Sequence, residues 1–273
     1  MNIKTIDTCT LGDIITIWNE GFSNYFVPVY NDQNTFIKRL ANEDLDVASS
    51  FIVEEDGVLQ GIFLNGFREN DGEVVAWNGG TAVHPNARRK GVGQLLLEKS
   101  IEEYKARNVK RASLEAIKEN TGAILLYEKL GYKIKDELII FKGSVKKKGT
   151  LNVEFTRPER LSQLTIYNKD VPWQCHVKSN LTAQAAVFYN QFNDPIGYLL
   201  YQQSDGETKQ TRFIQIELLD TVSQDEFCVM VTTITEGGNF TTVNTPLSSR
   251  AAQYFINLNI DEMIRQVWME KEI

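Results

Sequence analysis

Cysteine, histidine and proline are scarce in this chain: its 273 residues include three cysteines, two histidines and six prolines. Cys9, Cys175 and Cys228 are widely spaced and form no Cys-x-x-Cys pair, which excludes a disulfide framework and a thiolate zinc site. No metal is expected. Long apolar runs are missing too, and none approaches the roughly 20 residues needed to span a bilayer, so the membrane reading is dropped. Met1 to Asp7 carries neither a basic stretch leading into an apolar one nor a lipidation pattern, and the expected location is a reducing cytoplasm. Positive charge is the minority sign, 29 Lys and Arg against 36 Asp and Glu, for a net charge of -7. That balance gives no overall attraction to nucleic acid, while a local cluster at Arg88, Arg89 and Lys90 can still meet a small anion. An acidic protein with one basic loop suits an anionic cofactor and a cationic amine substrate.

What is present reads as two halves of ordinary domain size. Thr10 caps a helical run with Ile14, Ile15, Trp18 and Phe22, and Phe36, Ile37 and Leu40 mark a second short helix. Strands are expected at Phe51 to Glu55, Val58 to Arg68 and Glu73 to Val83, joined by Asp56-Gly57 and Asp71-Gly72, whose Asp-Gly steps signal hairpins. These strands form an antiparallel meander. Leu97, Ile101 and Tyr104 then mark a helix from about Gly91 to Arg107. A short strand at Arg111 to Ala116, a helix at Thr121 to Leu130 closed by Gly131, and two strand-like pieces from Tyr132 to about Lys142 complete the first half.

Glycine and lysine replace apolar periodicity at Gly143 to Gly149. The expected division is a first domain over 1–145, a solvated linker at 146–150 and a second domain over 151–273. The second half repeats the element order. Strands are expected at Ala183 to Tyr189, Ile196 to Gln203 and Lys209 to Leu219, with turns at Asn193-Asp194-Pro195 and Asp205-Gly206. Ser223 and Glu226 form a capping box ahead of a helix bearing Phe227, Met230, Val231 and Ile234. A strand near Phe240 to Asn244, a helix from about Leu247 to Asn257 and a strand near Arg265 to Glu270 follow. A shift of 128 places Ala123 on Ala251, Tyr127 on Phe255, Leu130 on Leu258 and Gly131 on Asn259, as a diverged internal repeat would.

Arg88-x-x-Gly91-x-Gly93 lies between a strand and a helix, where orphan backbone N–H groups and the helix dipole favour an anion. Glycine permits close approach, and Arg88 and Lys90 can add charge-assisted hydrogen bonds. The Walker pattern is absent, and hairpin-linked strands before the loop do not suit a Rossmann βαβ unit.

About 27 residues beyond Gly93 comes a second motif, from Asn120 through Ala123, Tyr127 and Gly131 to Tyr132. Together with Val83 and Pro85 ahead of the loop, the two motifs resemble the GCN5-related N-acetyltransferase (GNAT) superfamily. The resemblance implies an α/β (α+β) fold: a mixed, mostly antiparallel sheet with helices on both faces, followed here by a second GNAT-like domain. It implies acetyl-CoA as cosubstrate. The backbone of Thr81, Ala82 and Val83 would pair with pantetheine, the loop of Arg88, Arg89, Lys90, Gly91, Val92, Gly93 and Gln94 would hold the pyrophosphate, and Asn120 would contact the cofactor arm. Tyr127 would lie near the thioester sulfur, where a phenol with a reference pKa of about 10 can protonate a departing thiolate.

Glu115 matches the base of ribosomal-protein alanine acetyltransferases, and Glu73 is a second candidate, acting through water. His84 reads as a loop residue. With no Ser/His/Asp or Cys/His arrangement, direct attack by the amine is expected over an acyl-enzyme. Trp18 to Phe22 and Tyr25 to Pro28 are expected to shape an acceptor cleft for a small amine or a peptide N-terminus. The second half lacks glycine and arginine at Leu219-Asp220-Thr221-Val222 and has Phe255 in place of the tyrosine, so it is expected not to bind CoA. It either completes the substrate cleft or pairs two chains in a homodimer. Trp173, Tyr189 and Tyr198 read as core residues rather than an acceptor lining. The competing reading of the first half is a non-catalytic acyl-CoA sensor or assembly module.

Overall fold

The Asp-Gly steps organise the first meander as their chemistry requires. Asp56 and Gly57 have φ of 51° and 78°, and Asp71 and Gly72 have 52° and 78°, the paired left-handed conformations of tight hairpin turns. The computed structural model describes residues 1–204 and 209–273. The expected turn at Asp205-Gly206 lies outside the described residues.

The chain divides into two units, Met1–Lys135 with Met269–Ile273, and Asp136–Trp268. The first contains β1 (Asn2–Thr5), α1 (Leu11–Gly21), α2 (Gln33–Asn42), β2 (Phe51–Glu55), β3 (Val58–Asn70), β4 (Glu73–Val83), α3 (Val92–Ala106), β5 (Arg111–Ile117), α4 (Thr121–Lys129) and the start of β6 (Lys133–Ser144). The second adds β7 (Asn152–Thr156), α5 (Pro158–Leu161), β8 (Gln184–Tyr189), β9 (Pro195–Gln203), β10 (Thr211–Leu218), α6 (Gln224–Thr235), β11 (Asn239–Thr242), β12 (Thr245–Pro246), α7 (Arg250–Asn257) and most of β13 (Asp261–Glu272).

The first unit's strands run in the order β1-β2-β3-β4-β5, with the chain's last residues beside β5. All neighbours from β1 to β4 are antiparallel, and β4 and β5 are parallel. Thr10 caps α1 by accepting from the Asp13 N–H at 3.1 Å, and Ile14, Ile17, Trp18 and Gly21 form its buried stripe. Side chains of β4 alternate between faces. Gly80 and Ala82 meet α1 through Trp18 and Gly21, whereas Val83 approaches Gly93 of α3.

The expected boundary at 145–150 differs from the observed one, because β6 runs unbroken through the change of unit. The three lysines are exposed, as a solvated stretch would be, but the segment is also anchored to the second unit. Val145 is buried in the second unit's core, the Lys147 N–H donates to Thr232 Oγ1 at 3.0 Å, and its ammonium pairs with Asp225 at 2.7 Å. The stretch is docked on α6.

The second unit repeats the arrangement in the order β13-β6-β11-β10-β9-β8-β7, with β12 also on β6. The expected capping box forms: Ser223 Oγ accepts from the Glu226 N–H at 3.2 Å, and Glu226 accepts from the Ser223 N–H at 2.8 Å. Beneath α6, Phe141, Phe227 and Phe240 surround Phe255 with ring centroids 5.0–5.1 Å away. Trp173 and Tyr198 are buried in this unit, and Tyr189 donates to Glu154 at 2.8 Å.

A polar knot crosses the other face. Asn168 Nδ2 and Gln215 Nε2 donate to Glu217 Oε1 at 2.9 and 3.4 Å, and Gln215 Nε2 also donates to the Tyr198 hydroxyl at 2.7 Å. Burial raises the Glu217 carboxyl above its usual 4.5, and these two amide hydrogen bonds only partly oppose it. A carboxyl raised in the folded state contributes stability that is fully present below the unfolded value and lost as pH rises through the folded one. Glu217→Gln keeps the shape and removes that loss. At pH 7 the variant is expected to melt a few degrees above the parent, with the gap closing as pH falls toward 4.5; a variant that melts lower at pH 7 refutes this account of the knot.

Candidate active site

Two adjacent glycines end a ladder. β4 pairs with β5 only from Val75, Ala76 and Trp77 to Arg111, Ala112 and Ser113, although both strands continue. The register of β4 on β3 slips between Asn78 and Gly80, which leaves Gly79 as a bulge residue. Gly80 has φ of 144°, and a Cβ there would lie 2.4 Å from the Trp18 ring, so no other residue fits. Beyond the bulge β4 and β5 separate, and a gap opens between them.

α4 supplies the chemistry of that gap. Asn120 is its N-cap, with Oδ1 accepting from the Ala123 N–H at 3.4 Å, and its Nδ2 donates to the Tyr25 hydroxyl at 3.4 Å. Two turns on, Tyr127 is buried, and its hydroxyl accepts from Asn78 Nδ2 at 3.3 Å. Asn78 also donates to Thr81 Oγ1 at 3.0 Å. Burial pushes the Tyr127 phenol above its ordinary value, against the opposing hydrogen bonds from Thr81 and Asn78. The phenol therefore stays protonated at neutral pH.

The glycine loop lies at the other end of β4. Pro85–Ala87 form a turn capped by His84, whose Nδ1 accepts from the Asn86 N–H at 3.2 Å; His84 is thus a loop residue. Gly91 has φ of 87° and open space where a side chain would be. The first helical bond runs from the Leu95 N–H to the Gly91 carbonyl at 2.9 Å, so the N–H groups of Val92, Gly93 and Gln94 lack intrahelical acceptors. Arg89 and Lys90 are exposed beside them.

The Arg88 side chain is engaged within the protein. Its Nη2 donates to the carbonyls of Gly21 at 3.0 Å and Ser23 at 3.4 Å, and its Nε to the Val83 carbonyl at 3.3 Å. The guanidinium staples the loop to the C-terminal end of α1, where carbonyls collect partial negative charge. Gln94 is likewise engaged by side chain, donating to Glu98 at 2.7 Å and accepting from Lys129 at 3.0 Å. What the loop offers an anion is its backbone N–H groups, flanked by Arg89 and Lys90. Thr81, Ala82 and Val83 pair with β3 on one edge and lie beyond the last β5 pair on the other.

The two candidate carboxylates separate sharply. Glu115 accepts from Trp77 Nε1 at 2.8 Å, so it stands beside the last paired residues, one strand position before Asn78 turns toward Tyr127. Glu73 is exposed at the β3–β4 hairpin, five residues, or roughly 16 Å of extended strand, from Asn78. The structure does not bring Glu73 to the gap. Asn78 was missed as a site residue. Asn78-Gly79-Gly80 inside a strand pattern was the available signal for a bulge.

Tyr25 closes a row of aromatic rings, with Trp18–Phe22 at 4.6 Å, Phe22–Tyr25 at 5.0 Å and Tyr25–Phe26 at 5.2 Å. The corresponding places in the second unit are filled. Arg250 pairs with Asp220 at 2.8 Å, and the Glu226 carboxylate caps the start of α6, where an anion would meet it. Among the described residues no helix is long and apolar enough to cross a membrane, and no cluster of His, Cys, Asp and Glu suits a metal.

Residues 13–132 match the model of the acetyltransferase (GNAT) family. An acetyltransferase of Sodalis glossinidius is 26% identical over 140 residues, 51% of this chain and 92% of that protein. One from Yersinia enterocolitica is 23% identical over 142 residues, 52% of this chain and 94% of that protein. Among solved structures, a tandem GNAT protein from the clavulanic acid biosynthesis pathway is similar over 99% of this chain and 98% of its own, with a TM-score of 0.66 and 11% identity. A GCN5-related N-acetyltransferase from Sphaerobacter thermophilus is similar over 99% and 95%, with a TM-score of 0.66 and 12% identity; both likenesses are of fold. Residues 13–132 of this chain are thus a GNAT-family domain and mark an acyltransferase, and the second unit has a GNAT-like fold.

Proposed function

We propose that the chain moves an acetyl group from acetyl-CoA to a primary amine by direct attack. The observation that carries the reading is the gap between β4 and β5, with the Tyr127 phenol held by Asn78 at 3.3 Å and the glycine loop at the far end of β4. The donor set fits an elongated phosphate-bearing thioester. Backbone of Thr81, Ala82 and Val83 would hold an extended amide chain, the N–H groups of Val92, Gly93 and Gln94 would receive a pyrophosphate, and Arg89 and Lys90 would add charge. Asn120 would stand beside the arm.

In the reaction the amine forms a bond to the carbonyl carbon as the carbon–sulfur bond breaks. Tyr127 gives its phenolic proton to the leaving sulfur, for which burial has kept it protonated. Glu115, directly or through water, first takes a proton from the ammonium to give the free amine that attacks, and the second proton lost from nitrogen as the amide forms restores the Tyr127 phenol. The aromatic row from Trp18 to Phe26 would form the acceptor side, fit for a small amine or a peptide N-terminus. Acidic net charge favours such a cation and disfavours nucleic acid. The second unit, with its helix start already capped by Glu226, would complete the cleft or pair two chains, and the protein would work in the cytoplasm.

Acetyl-CoA turnover against a panel of amines, read by free thiol release, tests the reading. Tyr127→Phe is expected to lower kcat by at least about 100-fold while CoA affinity by calorimetry holds within twofold; an unchanged rate removes Tyr127 as the acid. Glu115→Gln should lower the rate most at low pH, where free amine is rarest. Binding of CoA without turnover of any amine by the parent protein would instead make it an acyl-CoA-binding module. Gly91→Ala should cost about 1 kcal/mol of stability, from its left-handed conformation, and weaken CoA; equal CoA affinity in that variant would refute the loop's role.

A further inference from the structure

We propose that Arg39, on α2, is a positioning residue for the reaction, acting on Tyr127 through the peptide between Gly79 and Gly80; this rests on the acetyl-transfer reading above. That peptide is held at both ends. On one side Arg39 Nη2 donates to the Gly79 carbonyl at 2.8 Å. On the other, the Gly80 N–H donates to Asn78 Oδ1 at 2.9 Å, and the same amide's Nδ2 reaches the Tyr127 hydroxyl at 3.3 Å. A peptide unit is planar, so fixing its carbonyl fixes the direction of its N–H. Arg39 therefore sets where Asn78, and through it the phenol, can point.

The guanidinium is itself built into place. Glu43 accepts from Arg39 Nε at 3.0 Å and Nη2 at 2.8 Å, and the Arg39 Cζ lies 4.8 Å from the Trp18 ring centroid. Both side chains of the ion pair are mostly covered, at 17% and 15% exposure, where a two-pronged charge-assisted contact is least screened. The same Trp18 ring occupies the space a Gly80 side chain would need, and a Gly79 Cβ would lie 2.6 Å from Leu45. The Gly79 carbonyl lies at the bulge in β4, and α2 supplies it with a donor.

The test compares Arg39→Met, Arg39→Lys and Glu43→Gln with the parent. Arg39→Met should lower kcat on the order of 10- to 100-fold, the cost of a displaced catalytic group, with KM for acetyl-CoA little changed, while the thermal midpoint falls because Glu43 and the Gly79 carbonyl lose their donor. Arg39→Lys, which can still donate to the carbonyl, should recover part of the rate, and Glu43→Gln should fall between. Amide hydrogen exchange of Gly80 should speed up in Arg39→Met independently of turnover. An unchanged kcat, or parallel losses of kcat, CoA affinity and melting temperature in all three variants, overturns the proposal. Should the parent turn over no amine, the acetyl-transfer reading fails, and Gly80 exchange alone decides: unchanged exchange in Arg39→Met, or in Glu43→Gln if the former does not fold, overturns the clamp.

Discussion

The position of one peptide, between Gly79 and Gly80, governs the arrangement of the first unit's site. Where that peptide bulges, β4 leaves its parallel partner after three pairs, and the gap exists because the ladder stops. The bulge is anchored on the neighbouring strand as well. Asn65, directly across from Asn78 and fully buried, donates to the Ser49 carbonyl at 2.6 Å and to Ser100 at 3.1 Å, and accepts from Tyr104 at 2.5 Å. Each of these groups, left unpaired in the core, would cost about 1–3 kcal/mol. Polar side chains are therefore what make the irregularity stable, and the irregularity is what separates the strands.

The second unit keeps the irregularity and discards its use. β10 slips register on β9 between Phe213 and Gln215, leaving Ile214 in the place of Gly79, and the β10–β11 pairing again spans three positions. Here the space is taken by side chains. Gln215 stands where Gly80 does, and Phe213, Phe240 and Phe255 fill the region under α7 with ring centroids about 5.1–5.5 Å apart. A dry aromatic cluster stabilises by burial what the first unit leaves open. The backbone irregularity is thus present in both units, with glycines at it only in the first.

Much of this was legible from residue order. Asp-Gly hairpins, the Thr10 cap, the Ser223–Glu226 capping box and the Tyr127–Phe255 correspondence depend on neighbours a few positions apart, and local chemistry decides them. β1 and β7 were not legible, since each is a short edge strand of four or five residues whose pairing is with distant chain. The lysines at 146–148 are exposed as their composition suggests, but the anchoring of Lys147 on Thr232 and Asp225 is a tertiary event that residue order does not show. Glu73 read as a base from its strand, but the strand is long and holds it at the wrong end. Arg88 matched its motif and still does other work, because a motif records the residue and not the direction of its side chain.

That direction makes α1 the ruler of the site. Trp18 lies against Gly80 at the phenol end, and one turn later Gly21 lies against Ala82 while its carbonyl receives Arg88 from the glycine loop. A helix rises about 1.5 Å per residue and resists stretching, so the two ends of β4's exposed edge are fixed to one rigid element. The loop's distance from Tyr127 is then set by a helix rather than by the loop itself. Spending Arg88 on this staple leaves anion contact to backbone N–H groups, which have fixed directions and need no side-chain ordering. A cofactor spanning phosphate loop and phenol would meet donors whose spacing is already determined before it binds, and the entropic cost of arranging them falls on folding rather than on binding.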